Sequence, residues 1–357
     1  MIRNLQALRF VFIMLVVMSH IIGKSFDFGG ECGVSFFFML SGFILSYAYG
    51  EKVRAKTFGH CRFIKKQLSK FYPLHVLLFL IMIVLDARLG RFFSWDKLVA
   101  NLLLLQSWVP SDDFYFVVNG PSWFLSDLMF FYVVFPITFM MLMSASLRRL
   151  MIGAIVLLVL YASLAFFIPE GLINPLLYVA PWTRLLDFFL GILLFRLYTS
   201  EDYSTFCSWL SRQSSVMLTI LELVFLFVVV ASFFVYEASS LRFRCAALFW
   251  FVLPPVLCFF VASDRYAGGV TKLLHTSLMQ WLGSISMEIY LTHYVFMRCL
   301  YSILAPLGVD EETRLYPSVL LLTVVLIIIV AYLTKRYFVV PIYSQLVKIN
   351  SHDWKDS

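Results

Sequence analysis

Apolar runs recur along the whole chain, separated by short polar joints, and their length sets its organisation. A helix needs about 20 mostly apolar residues to cross the hydrocarbon core of a bilayer. Runs of about that length fall at approximately 5–23, 32–50, 72–90, 122–143, 150–168, 182–198, 215–236, 244–262, 280–303 and 316–338. The pattern predicts an all-α integral membrane protein of about ten transmembrane helices. One stretch fits neither span nor loop. FFSWDKLVANLLLLQSWVPSDDFYFVVNGP, at 92–121, holds about a dozen apolar-rich positions, too few to cross and too many for a plain connection. It is expected to be a re-entrant or interfacial element on the outer side.

Composition supports the same solvent. With 61% hydrophobic residues, 14% charged and a mean hydropathy of +0.88, the chain is too apolar for a soluble domain of its size. Its orientation follows from the cations, which favour the cytoplasmic side of membrane proteins. With an inner N-terminus, the inner joints collect Arg3, the cluster at 52–70, Arg148, Arg149, Arg196, Arg212, Arg265, Lys272, Lys335, Arg336, Lys348 and Lys355. The outer joints hold fewer: Lys24, Arg88, Arg91, Lys97, Arg184, Arg242, Arg244 and Arg314. Both termini are therefore expected to be cytoplasmic. The net charge of +7 is explained by these membrane-flanking cations and anionic lipid, so no nucleic-acid partner is expected. The six cysteines (Cys32, Cys61, Cys207, Cys245, Cys258, Cys299) show no metal-type spacing and read as small buried hydrophobes, with no metal expected. The first span has no small-residue cleavage site and is read as retained.

That first span, LQALRFVFIMLVVMSHIIG, carries an arginine and a histidine. Eleven residues separate Arg9 from His20, about three turns plus 20°, so both lie on one stripe about 16 Å apart along the axis. An arginine near a helix centre costs about 2.5–3.5 kcal/mol on insertion scales, and such residues tend to face a bundle interior and mark a site.

Further blocks follow in order: GVSFFFMLSGFIL, the basic joint ending KKQLSKFYPLH, NGPSWFLSDLMFFYVVFP, RLLDFFLGILLFRLY and WLGSISMEIYLTHYVF. With the Arg-x10-His span, this ordered set resembles the acyltransferase family 3 membrane proteins over nearly the whole chain. Those proteins O-acylate sugars of surface polysaccharides and lipid-linked glycans. The resemblance implies a membrane acyltransferase domain at 1–340, a short cytoplasmic tail at 341–357 and residence in the bacterial cytoplasmic (inner) membrane. It implies an acyl group, commonly acetyl, carried by acetyl-CoA as donor, with no permanently bound cofactor, and a glycan hydroxyl as acceptor. The family's essential arginine and histidine match Arg9 and His20. Its arginine-rich stretch matches KKQLSKFYP, where Lys66, Gln67 and Lys70 replace arginines and lose the bidentate fork while the lysines keep the charge. Ser35 falls where part of the family has Asp. In SWFLSDLMFFYVVFP the acid common in the family's variant is replaced by Leu128, and Asp127 precedes it.

On this view His20 is the general base, with desolvation keeping its imidazole neutral. Arg9 contacts the donor from the inner side or stabilises an oxyanion. Arg62, Lys66 and Lys70 are expected to receive the CoA phosphates. Ser35, Trp123, Asp127, Tyr132, Glu288 and His293 are expected as substrate-side groups. Glu288 and His293 lie about 140° apart on their helix and form no dyad. Arg184 and Asp187, at i and i+3, are expected as a structural ion pair. His75 is expected at the inner interface. A transporter or flippase for a glycan or small anion is the alternative, since buried cations suit it on physical grounds.

Overall fold

Long apolar runs leave the backbone no partner but itself, so helix is the only regular structure they support in lipid. The computed structural model describes residues 2–23, 29–239, 247–309 and 311–352. Lys24, Arg242, Arg244, Cys245, Lys355 and the end of the tail at 353–357 lie outside the described residues. Among the described residues the chain is helical, with no strand.

In chain order the helices are α1 (Arg3–Ile22), α2 (Gly30–Arg54), α3 (His60–Arg88), α4 (Trp95–Leu102), α5 (Asp112–Tyr115), α6 (Trp123–Ser144), α7 (Leu147–Phe167), α8 (Pro181–Tyr198) and α9 (Glu201–Leu210). There follow α10 (Ser215–Ala238), α11 (Ala247–Ser263), α12 (Gly269–Leu274), α13 (Ser277–Ser284), α14 (Ser286–Leu304), α15 (Glu311–Arg314), α16 (Pro317–Thr334) and α17 (Val340–His352).

Seven described helices are long and apolar enough to cross a membrane, and an eighth if the bent pair Glu170–Val179 and Pro181–Tyr198, at 41°, counts as one span. The two other expected spans are shorter or interrupted among the described residues. The expected span at 244–262 has 17 described helical residues in α11. The expected span at 280–303 is cut into α13 and α14 around Ile285. At that cut Gly283 sits against the Gln6 carbonyl of α1, where a side chain would collide with backbone. The last helical stretch runs on through a π-turn at Lys335–Val339 into α17, so the expected tail begins as helix.

The largest departure is α3. The basic joint at 51–72 is not a loop from end to end, because helix begins at His60, twelve residues before the expected span. Arg62, Lys66 and Lys70 therefore ride on helical turns. Lys and Arg are good helix formers, and here Arg62, Lys65, Lys66 and Lys70 face outward while Phe63, Gln67, Phe71 and Leu74 are buried at helical spacing.

The described chain forms two units. One comprises Met1–Val16, Asp27–Phe58 and Asp127–Ser284. Its centre is the contact of α2 with α8, where Gly42 meets the Phe188 carbonyl and Gly191 meets that of Met39 so closely that neither position has room for a Cβ. Small residues thus set how near the two backbones come. Phe131 packs between Phe38 and Phe188, with ring centroids 4.9 and 5.1 Å away. Arg196 donates to the carbonyls of Leu142 (2.7 Å) and Ala145 (2.6 Å), satisfying the end of α6.

The other unit comprises Val17–Phe26, Gly59–Ser126 and Ile285–Ser357. Here α14 packs on α3 and α16, and α17 returns along α3. Arg298 of α14 pairs with Asp86 of α3 at 2.7 Å. The segment at 92–121 is a series of short turns of helix, none long enough to span. Helix α1 is continuous and gives its first turns to the first unit and its last to the second.

Candidate functional site

In the second unit two of the sequence-predicted groups, His20 and His293, meet at the end of α1. The His20 ring lies 5.1 Å from that of His293 at an interplanar angle of 67°, and 5.9 Å from that of Tyr294 at 73°. Two histidines 273 positions apart, one on α1 and one on α14, are thus neighbours. Their surroundings differ. His293 is fully buried, whereas His20, in the last turn of α1, is exposed. The expectation of a desolvated His20 is corrected accordingly: its position at a helix end, not in the middle of the bundle, leaves it accessible.

The His293 tautomer is fixed by its helix. Nδ1 lies 2.7 Å from the Tyr290 carbonyl and 3.1 Å from that of Ile289, and since carbonyls only accept, Nδ1 carries the proton. Nε2 is then an acceptor, and it has no hydrogen-bond partner among the described residues. Tyr290, one turn back, is anchored by its hydroxyl donating to the Pro121 carbonyl at 2.5 Å. Asn119 donates to the Leu291 carbonyl at 3.4 Å. Together these bonds hold the NGPSW segment against α14.

A polar network in the same unit escaped sequence reading. Asn101 donates to the Val117 carbonyl (3.0 Å) and to Ser122 Oγ (3.2 Å), and Gln106 donates to the same Oγ at 3.2 Å. Ser107 donates to Ser126 at 2.7 Å. These side chains are all buried. The signal available was the density of Asn, Gln, Ser and Pro in a stretch otherwise apolar, since such groups must find partners when buried. His75 belongs here too. It is the sixteenth residue of α3, buried, with Nε2 donating to the Asn101 carbonyl at 3.0 Å. The early start of α3 places it half-way along that helix and not at its beginning.

Arg62, Lys66 and Lys70 are exposed and recur every four residues, so they form one stripe on the first turns of α3. Lys70 Nζ donates to Gln67 Oε1 at 2.8 Å. Trp123 is buried at the start of α6. Glu288 faces away from His293 and lies 4.0 Å from Lys335 Nζ, as the 140° separation requires.

In the first unit, Arg9 is half-buried on α1, and Tyr132 of α6 is buried. The Arg184–Asp187 pair forms at 3.3 Å with both side chains fully buried. Arg184 also donates to Ser35 at 3.2 Å, and its guanidinium stands 5.0 Å over Phe38 and 5.4 Å over Tyr178. Trp250 Nε1 donates to Asp187 at 2.9 Å. Ser35 is thereby engaged by the ion pair. Asp127, on α6, is fully buried. Of the cysteines, Cys32 is buried as expected but Cys61 is exposed, because it lies on the solvated start of α3.

The model of a family described as an acyltransferase domain matches residues 2–336. The chain is similar to Acyltransferase MdmB of Streptomyces mycarofaciens, with 29% identity over 286 residues, covering 75% of this chain and 68% of the relative. No solved structure matches.

Proposed function

The chain belongs to the acyltransferase domain family and is an acyltransferase, and from that premise we propose that it moves an acetyl group from cytoplasmic acetyl-CoA to a hydroxyl of a surface polysaccharide or lipid-linked glycan. The observation that carries the reading is the exposed His20 at the end of a continuous helix that also bears Arg9. Family membership favours group transfer over the carrier alternative.

In the proposed reaction a sugar hydroxyl attacks the thioester carbon as His20 takes its proton. The new C–O bond forms, the C–S bond breaks, and the departing CoA thiolate takes the proton from the histidine. General-base assistance of this kind is typically worth about 10²–10⁴-fold. Arg9 lies about 16 Å along the axis from His20, a distance comparable with the extended pantetheine arm of a CoA thioester. That spacing suits Arg9 to the donor's inner, anionic portion better than to the reacting carbon.

The exposed stripe of Arg62, Lys66 and Lys70 suits the CoA phosphates. Lysine supplies point charge without the planar fork, so it attracts phosphate while fixing its orientation less. The remaining expectations stay part of this reading: residence in the bacterial inner membrane, ten spans with both termini inside, and a re-entrant segment at 92–121. Support for the last comes from Asn101, whose carbonyl reaches His75 half-way along α3.

The test is transfer of label from radioactive acetyl-CoA to glycan extracted from the native membranes, using membranes that carry the protein. Saccharide-bound label that mild base releases supports the reading. Acetyl-CoA left intact with every glycan offered would oppose it.

A further inference from the structure

We propose that the groove between α7 and α8 binds an anionic phospholipid, with one acyl chain lying along the two helices and the phosphate at Arg149. The inference rests on the membrane-spanning reading of these helices and is independent of the acyl-transfer chemistry. All of the residues concerned lie in the first unit.

Helix α8 has two unlike sides. Phe188 and Gly191 lie on the side closed against α2, and both are buried. On the opposite side Leu186, Phe189, Leu190 and Leu193 recur at helical spacing and are only half-buried. They face α7, which makes only sparse backbone contacts with other helices. Between the two lies a groove of about 380 Å³. Protein interiors leave few voids larger than a water molecule, so a gap of this size calls for an occupant. The groove is walled by apolar side chains, and no acidic residue lines it.

Gly153 points the same way. Glycine inside a helix is unfavourable unless its small size serves a contact. Gly42 and Gly191 serve one, against each other's backbones, but a Cβ at Gly153 would meet nothing within 4 Å. The room it leaves, with that beside Ala154, belongs to the groove.

Length and charge identify the occupant. From Arg149 to Leu157 the groove follows α7 for eight positions, about 12 Å. Half of a hydrocarbon core about 30 Å thick is about 15 Å, so the groove suits a chain from one leaflet and stops short of the other. A cation marks its beginning. Arg196 is engaged by the carbonyls of Leu142 and Ala145, whereas Arg149 is exposed and lines the groove. Arg149 also stands in the first turn of α7, where the helix dipole favours an anion. Hydrocarbon walls of leaflet depth below a single cation match a phospholipid that carries net negative charge.

The experiment places the full chain in phosphatidylcholine vesicles that contain a small fraction of a phospholipid bearing a photoreactive diazirine on one chain. The probe is phosphatidylglycerol in one set and phosphatidylcholine in the other, and labelled peptides are mapped by mass spectrometry. On the α7 and α8 peptides of the groove, the phosphatidylglycerol probe should label about fivefold more, the preference expected of one cation beside an anionic headgroup. Arg149→Gln should make the two probes equal. Gly153→Phe, which fills the groove, should lower labelling by both probes to the level of the exposed face of α10, around Ile220 and Phe227. Equal labelling of wild type by the two probes, as ordinary boundary lipid gives, overturns the site, and so does undiminished labelling of Gly153→Phe. If that variant fails to accumulate, Arg149→Gln decides alone, and a retained preference for phosphatidylglycerol overturns the proposal. A groove that neither probe labels, with crosslinks there between two copies of the chain, overturns it in favour of self-association.

Discussion

Two polar clusters among the described residues, one around Arg184 and one around His20, differ in charge and in burial. Around Arg184, each charged group is met by others in the same unit: the guanidinium by Asp187, Ser35 and two aromatic faces, the carboxylate also by Trp250. Both charges are fully buried, and the cluster joins α2, α8 and α11. Around His20 the inventory is incomplete. One ring is exposed, the other is buried, and the buried ring keeps an acceptor nitrogen without a hydrogen bond. Opposite charges paired across buried side chains tie helices together, whereas an accessible ring beside a buried one is open to a substrate.

Substitutions break the two clusters in different ways. The largest effect is expected at His20, where alanine or glutamine should lower acyl transfer about 10²–10⁴-fold while the protein still accumulates in the membrane. Quantitative immunoblotting beside a transfer assay checks both halves, and retention of more than about a tenth of activity would remove His20 as base. Asp187→Ala should do the reverse. It strands a buried guanidinium, which costs about 3–5 kcal/mol, so thermal stability in detergent should collapse while the surviving protein keeps its specific activity.

A smaller structural effect is expected at the α2–α8 contact. Gly191→Val forces backbones apart that now touch, at about 1–3 kcal/mol, and should lower the melting temperature without a selective change in kcat. The smallest effect is expected on the α3 stripe. Lys66→Gln with Lys70→Gln should raise KM for acetyl-CoA several-fold and change kcat less, because contacts made equally in ground and transition states act as uniform binding. If these lysines only meet anionic lipid, KM in neutral lipid will stay where it was.

Much of this was legible in the pattern of apolar runs, and the failures share a cause. Hydropathy detects lipid-facing and core-facing residues alike, so it located α1, α2, α6, α7, α10 and α16 but not where a helix continues past the apolar zone. The start of α3 shows this: Arg62, Lys65, Lys66 and Lys70 dilute the signal, although Phe63, Gln67 and Phe71 keep a helical rhythm beneath them. The break at Ile285 was hidden because the run stays apolar on both sides, and the close approach of Gly283 to α1 beside it is a tertiary contact. The stripe bearing Arg9 and His20 was readable because both residues are on one helix. The neighbour His293 was named without its relation to His20, since helix periodicity relates positions within an element and is silent between elements. The same limit hid the Asn101–Gln106–Ser122 network, whose members meet only once the 92–126 segment has folded.

The most direct measurement is single-turnover transfer from labelled acetyl-CoA to native membrane glycan by wild type and by His20→Gln, at equal amounts of inserted protein. The account predicts rapid appearance of base-labile label in the saccharide with wild type and at least about a hundredfold slower appearance with the variant. Equal rates in the two proteins would contradict it.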